Sequence, residues 1–269
     1  MNEHVEPILK WAGGKRQLLG ELLPLVPEYT GKYIEPFLGG GAMFFALSPE
    51  NAVLADCNEE LIALYKTVSK YPQQVIDELK RYKNTEKDYY RIRALNWKEL
   101  SNIEAAARMI FLNKTGFNGL YRVNRQGGFN VPYGKNAKTQ FCNEEQIKEA
   151  AKLLKKKKLI CGDYKKVLKK YAEPGDFIFL DPPYFQVTER EIFLRYTSDR
   201  FYEPDQEELA EIVNELYDMG CEVMMTNSNH PRIYDLYNRF DIKVVQVRRS
   251  VNCKGDGRSG EDTIITAFH

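Results

Sequence analysis

An apolar run, Phe177-Ile178-Phe179-Leu180, stops abruptly at Asp181-Pro182-Pro183-Tyr184. A short continuous apolar run closed by turn residues is the pattern of a strand buried on both faces. Two successive prolines have no backbone N–H to donate, so the ladder must end there, with carbonyls left to accept. A carboxylate, a rigid carbonyl and an aromatic ring therefore stand at the carboxyl end of a buried strand, where open α/β sheets hold their ligands. An exocyclic amine carries two N–H donors. The Asp181 carboxylate and the Pro182 carbonyl can take one each while the Tyr184 ring stacks on the base. The plainer alternative is a strand that merely ends in prolines.

The rest of the chain keeps an α/β rhythm, short apolar runs alternating with amphipathic stretches. The spacing predicts strands at Tyr33–Glu35, Ala52–Ala55, Lys158–Ile160, Phe177–Leu180, Glu222–Met225, Val244–Arg248 and Thr263–Ala267. Helices are predicted at Glu59–Ser69, Gln73–Tyr82, Glu104–Lys114, Glu144–Leu154, Gln206–Met219 and Pro231–Tyr237. Pro72 suits a first helical turn and Gly220 a helix stop. Residues 116–136, GFNGLYRVNRQGGFNVPYGKN, break the rhythm, and Gln126-Gly127-Gly128 reads as a hairpin tip. With the helices before it, this stretch predicts an inserted subdomain at 71–156 within a core of 1–70 and 157–269. A second poorly patterned stretch, Phe185–Pro204, follows directly on a strand, where long connections often carry function.

Tyr33-Ile34-Glu35-Pro36-Phe37-Leu38-Gly39-Gly40-Gly41 leads from a strand into the helix-like AMFFAL. Glycines allow a sharp turn and close approach of a ligand. The next strand ends in Asp56, roughly 20 residues on, a spacing suited to a carboxylate gripping ribose hydroxyls. The glycines do not complete GxGxxG and no phosphate-gripping lysine follows, which disfavours NAD and ATP. The segment Lys10-Trp11-Ala12-Gly13-Gly14-Lys15-Arg16 reads, taken alone, as an arm with a buried tryptophan and a solvated basic pair. Its functional reading pairs Lys15 with a carboxylate and closes Trp11 over a ligand.

Composition narrows the field. Five cysteines without a CxxC pair and three scattered histidines suggest neither a disulfide framework nor a metal site. No apolar window of about 18 residues appears, and residues 1–10 lack a leader's apolar stretch, so a cytoplasmic protein with no membrane contact is expected. The net charge of +1 neither announces nor excludes a nucleic-acid partner, because a balanced total can hide a polarised surface.

KWAGGK, EPFLGGGAMFF, ADCNEELIALY, FNGLYRVN with GGFNVPYG, and DPPY stand here in one order. Together they resemble the Dam-type DNA adenine methyltransferases, the D12 class within the alpha group of amino-methyltransferases. The resemblance runs from Leu9 to about Phe268. It implies a Rossmann-like S-adenosylmethionine-dependent methyltransferase sheet with an inserted, mostly helical target-recognition subdomain carrying a β-hairpin. It further implies that Trp11, Lys15, Asp56 and Asp181 contact S-adenosylmethionine, that Phe37, Gly39 and Gly41 line its methionine end, and that Asp163 meets its adenine. Asp181, Pro182 and Tyr184 are the implied catalytic residues.

The FNGLYRVN segment resembles the family's recognition hairpin. Arg122 is then the reader of a guanine, because a guanidinium matches O6 and N7 bidentately, with Phe117, Asn118 and Leu120 beside it. The implied substrate is a flipped adenine in duplex DNA, within GATC, with a cognate restriction endonuclease as a further partner. Arg93, Lys114, Arg125, Lys135, Lys138, Arg248, Arg249 and Lys254 are candidate phosphate contacts. The run Lys155–Lys158 reads instead as a solvated edge. Residues 185–206 follow the family only loosely and are expected to order against DNA. Rival readings are the same chemistry on RNA adenine or a protein glutamine amide, a catalytically idle DNA-binding homologue, and, more distantly, a nucleotide-dependent dehydrogenase.

Overall fold

The computed structural model describes residues 4–11, 15–124, 127–185, 201–248 and 259–269. Its strands are β1 (Tyr33–Glu35), β2 (Ala52–Asp56), β3 (Lys158–Cys161), β4 (Phe177–Leu180), β5 (Glu222–Ser228), β6 (Asp241–Arg248) and β7 (Ser259–Ala267). They form one sheet in the order β3-β2-β1-β4-β5-β7-β6. β1 pairs parallel with β2 and β4, and β4 with β5, whereas β7 runs antiparallel to both β5 and β6. All seven strands overlap the apolar runs that predicted them. The fold is α/β with a mostly parallel sheet, consistent with the Rossmann-like methyltransferase expected.

The described α-helices are α1 (Leu19–Leu22), α2 (Ala42–Leu47), α3 (Glu59–Lys70), α4 (Pro72–Leu79), α5 (Glu86–Arg93), α6 (Asn102–Thr115), α7 (Glu144–Leu154), α8 (Tyr164–Tyr171), α9 (Glu203–Met219) and α10 (Pro231–Leu236). Pro72 does occupy the first turn of α4, and Gly220 ends α9 at φ 94°. The spacing did not predict α1, α5 or α8. α5 is largely polar and buries only Tyr89 and Ile92. It relies on its Thr85 cap, which accepts from the Asp88 N–H. α8 buries Tyr164, Val167 and Leu168, a helical spacing set among four lysines.

The chain divides into two compact units, Met1–Gly14 with Gly39–Ser48 and Asp56–Cys161, and Lys15–Leu38 with Pro49–Ala55 and Gly162–His269. The first is held by an aromatic core including Phe44, Phe45, Tyr65, Tyr89 and Phe111. Within it, Arg108 and Glu60, only 2% and 5% exposed, pair at 2.8 Å. Arg108 also donates to the carbonyls of Ile92 and Arg93, so a charge that would be costly to bury is fully engaged.

In the second unit the strand starts are tied by Asp176. Its carboxylate accepts from the Lys32 N–H at 2.8 Å and from Lys32 Nζ at 2.9 Å. The contact demands glycine at position 31, where a Cβ would lie 2.2 Å from Asp176 Oδ1. β1 is thereby set beside β4. The strand order reverses between these two strands, so the switch point of the sheet lies at their carboxyl ends.

Candidate active site

Asp181 leaves β4 at that switch point. Its Oδ1 accepts from Lys15 Nζ at 2.6 Å and from the Thr226 hydroxyl at 2.9 Å. Lys15 is 5% exposed, and its ammonium also sits 4.6 Å from the centroid of the Tyr184 ring. The expectation that Lys15 would meet a carboxylate thus has a specific partner. The Tyr184 hydroxyl donates to Asp262 Oδ2 at 3.1 Å. Burial, reinforced by the carboxylates of Asp181 and Asp262, raises the Tyr184 phenol well above its ordinary pKa, so it remains a neutral donor.

The backbone around Tyr184 is clamped from both sides by groups the sequence did not single out. Gln206 Nε2 donates to the Pro183 carbonyl at 2.8 Å, and Asn227 Nδ2 donates to Gln206 Oε1 at 3.1 Å. Asn227 Oδ1 accepts from the Phe185 N–H at 2.9 Å, while Ser228 Oγ donates to the Phe185 carbonyl at 2.8 Å. Gln206, Asn227 and Ser228 are at most 1% exposed, and the bond between Gln206 and Asn227 is fully buried. One signal was available: the polar run Thr226-Asn227-Ser228 closes the apolar Val223-Met224-Met225, at another carboxyl strand end. Gln206 carried no comparable signal.

In the first unit, the glycine loop is held by an acid. Asp56 Oδ2 accepts from the Gly39 N–H and Oδ1 from the Asn58 N–H, both at 2.9 Å. The Tyr65 hydroxyl donates to the Gly39 carbonyl at 3.0 Å, so the Gly39 residue is pinned at both ends. Burial raises the Asp56 carboxyl above its ordinary value, and backbone N–H groups only partly offset this. Gly39 and Gly41 have φ of 46° and 68°, conformations that favour glycine. A Cβ on Gly39 would lie 2.8 Å from Trp11 Cδ1, and one on Gly40 would lie 3.0 Å from Trp11 Cβ. The missing side chains therefore admit the tryptophan, a role distinct from admitting a ligand. Trp11 stacks in turn on Tyr121, with centroids 5.2 Å apart, and Tyr121 donates to Glu60 at 2.9 Å.

Phe37, in the second unit, packs against Tyr164 at 4.9 Å and edge-on to Phe201 at 6.2 Å. Asp163 is the N-cap of α8, its Oδ1 accepting from the Lys165 N–H at 2.9 Å.

The stretch after α6 does turn back on itself, though through isolated bridges, Gly116 to Tyr133 and Val123 to Phe129. Gly127 N–H and Gly128 carbonyl bond to Asn124, closing the expected tip, of which Gln126 lies outside the described residues. Phe117 is 48% exposed. Asn118 and Gly119 follow at φ 54° and 63°, and the close approach of Lys10 leaves no room for a Cβ on Gly119. Leu120 is half-buried, its N–H on the Phe117 carbonyl. The fully buried Asn113, also missed by the sequence, bonds Lys10 through both N–H and carbonyl and donates to the Gly119 carbonyl. It ties the arm bearing Trp11 to this loop.

Arg122 is exposed and uses its Nε and Nη2 on Asn130 of the returning segment, at 2.7 and 3.3 Å. Among the candidate phosphate contacts, Lys135 and Lys138 are exposed and Lys114 half-buried. Arg93 props the returning segment through the Val131 carbonyl at 3.1 Å. Arg125, Arg249, Lys254, the Arg248 side chain and residues 186–200 lie outside the described residues. Among the described residues no cluster of histidine, cysteine, aspartate or glutamate is arranged to hold a metal, and no helix is long and apolar enough to cross a membrane.

The seven-stranded, mostly parallel sheet is consistent with a Rossmann-like methyltransferase fold. Residues 11–251 match the model of the D12 class N6 adenine-specific DNA methyltransferases, and the chain belongs to that family, whose members are adenine-specific DNA methyltransferases. It is 37% identical to the type II methyltransferase M.MjaIII of Methanocaldococcus jannaschii, covering 94% of this chain and 95% of the relative. It is 36% identical to the type II methyltransferase M1.LlaDCHI of Lactococcus lactis, covering 97% and 95%. It is 31% identical to the DNA adenine methylase of Vibrio cholerae, again covering 97% and 95%.

Proposed function

We propose that the chain transfers the methyl group of S-adenosylmethionine to N6 of an adenine flipped out of duplex DNA, within GATC. The observation that carries this reading is the arrangement of bonds on Asp181. Lys15 and Thr226 both engage Oδ1, which orients Oδ2 as an acceptor for an amine proton. The Pro182 carbonyl accepts the second amine proton, and the Tyr184 ring stacks on the base.

S-adenosylmethionine supplies an electrophilic methyl group when bound. The chain's residues fit it: Asp56 stands at the carboxyl end of β2, where a carboxylate can meet a diol, and aromatic faces are provided by Trp11 and by Phe37. Its proposed contacts are Trp11, Lys15, Phe37, Gly39, Gly41, Asp56, Asp163 and Asp181. Asp181 and the Pro182 carbonyl orient the N6 lone pair, and positioning of this kind lowers a barrier by roughly 7–11 kcal/mol. No strong base is needed, because the amine sheds its proton after it becomes cationic. Asp181 Oδ2 is the acceptor for that proton.

Residues 71–156 are the proposed target-recognition subdomain, with Arg122 reading guanine and Phe117, Asn118 and Leu120 acting at the displaced pair. The resemblance to type II methyltransferases supports a cognate restriction endonuclease sharing the site. The test is incubation with S-adenosylmethionine and unmethylated genomic DNA, followed by single-molecule mapping of modified bases. N6-methyladenine confined to GATC is the expected result. Methylation at another motif overturns the specificity, and none at all overturns the DNA substrate.

A further inference from the structure

The lysines concentrate in one place inside the first unit. Lys66 and Lys70 lie one turn apart on α3, and Lys148 and Lys152 one turn apart on α7, with Lys155 just beyond its end. These residues and Lys157 line a single groove of about 910 Å³, together with Ser69, Pro72, Ala151 and Leu159. No aspartate or glutamate is in that lining.

Local roles account for part of the set. Lys70 and Lys152 sit in the last turns of their helices, where a cation is favourable, and Lys148 is 3.6 Å from Glu144. Lys155 is the C-cap of α7 and shares that favourable end, which leaves the mid-helix Lys66 without it, and like charges one turn apart disfavour a helix. Six ammonium groups in one groove of a chain whose net charge is +1 make a strongly polarised surface. The Lys155–Lys158 run, read from sequence as a solvated edge, contributes two of them.

We propose that this groove is a contact surface for the phosphate backbone of duplex DNA, additional to the recognition loop. Lysine rather than arginine suits it to a sequence-independent grip, since an ammonium is a point charge that does not match a base edge bidentately. Pro72, Ala151 and Leu159 add apolar lining, which suits aliphatic stems whose charged heads meet phosphate. The groove holds duplex outside the target and so raises the time spent on long DNA. This rests on duplex DNA being the substrate.

The test compares the wild type with K66Q/K152Q/K155Q and with an equally neutralising control, K87Q/K166Q/K169Q, drawn from exposed lysines elsewhere. Binding to a long duplex lacking the target is measured over a salt series, alongside methylation of a short duplex barely longer than the target. Each phosphate contact contributes about 0.9 to the slope of log affinity against log salt, so the groove variant should lose about 2–3 in slope. The control should keep its slope, and all three proteins should methylate the short duplex equally. An unchanged slope in the groove variant, or an equal loss in the control, overturns the groove. So does a loss confined to duplex RNA. A wild type that methylates no DNA overturns the underlying reading instead.

Discussion

Thr226 and Lys15 bind the same oxygen of Asp181, at 2.9 and 2.6 Å. One side of the carboxylate is thus fixed by the protein, and its other oxygen is aimed. Thr226→Val keeps the shape and deletes only the hydroxyl. Loss of one bond to a charged acceptor is worth about 1.5–3 kcal/mol, so kcat should fall by about 10–160-fold with little change in S-adenosylmethionine affinity. Steady-state kinetics and calorimetric titration check this, and an unaltered kcat would remove Thr226 from the mechanism.

Gln206 and Asn227 form one unit around Tyr184. Asn227→Ala leaves the buried Gln206 Oε1 without its donor, at about 1–3 kcal/mol, and also removes the acceptor of the half-buried Phe185 N–H. Chemical denaturation should show that loss together with a fall in kcat. Because the two side chains share a bond, Gln206→Ala with Asn227→Ala should cost less than the sum of the singles. Strict additivity would mean that the clamp is two independent contacts.

Gly39→Ala sets a methyl 2.8 Å from the Trp11 ring and places alanine at φ 46°. The backbone conformation alone costs roughly 1–2 kcal/mol. S-adenosylmethionine binding should weaken, and Trp11→Ala added to Gly39→Ala should weaken it by less than it does in the wild type. Equal effects of Trp11→Ala in both backgrounds would show that the ring and the loop do not communicate.

Asp56 supplies a pH dependence whose sign follows from its environment. Burial raises its folded pKa above the ordinary 3.8. The folded chain then binds that proton more tightly than the unfolded one, so the contribution of Asp56 favours folding at low pH and is lost as pH rises through the folded value. Cofactor affinity should run the other way, because the diol needs the ionised carboxylate. Affinity should decline on acidification through the raised pKa, before the ordinary value is reached. Titrations across that window should show the decline in wild type and a flat, weak profile in Asp56→Asn.

Gly31→Ala tests how β1 is held beside β4. Its Cβ would lie 2.2 Å from Asp176 Oδ1 and 2.9 Å from backbone atoms of Gly175 and Asp176, which are less able to give way than a flexible side-chain end. Overpacking of this kind costs about 1–3 kcal/mol. A lowered thermal midpoint is expected, and an unchanged one would show that the strand starts can slide apart.

What the sequence determined by itself was local. Phe177–Leu180 closed by two prolines specifies a strand and its end, because apolar continuity and missing N–H groups act within a few residues. The same holds for the glycine loop, for Asp56 at the end of β2 and for the helices with a clear apolar stripe. The polar α5 escaped because its stability comes from a cap and two buried contacts.

Only the tertiary structure decided which groups complete these motifs. Thr226 stands 45 residues from Asp181, and Asn113 stands 103 from Lys10. That the space at Gly39 is filled by Trp11, or that lysines of α3 and α7 line one groove, follows from packing. Periodicity reports which face of an element is buried. It carries no record of which element covers that face, so the partner of each buried oxygen had to be found in space.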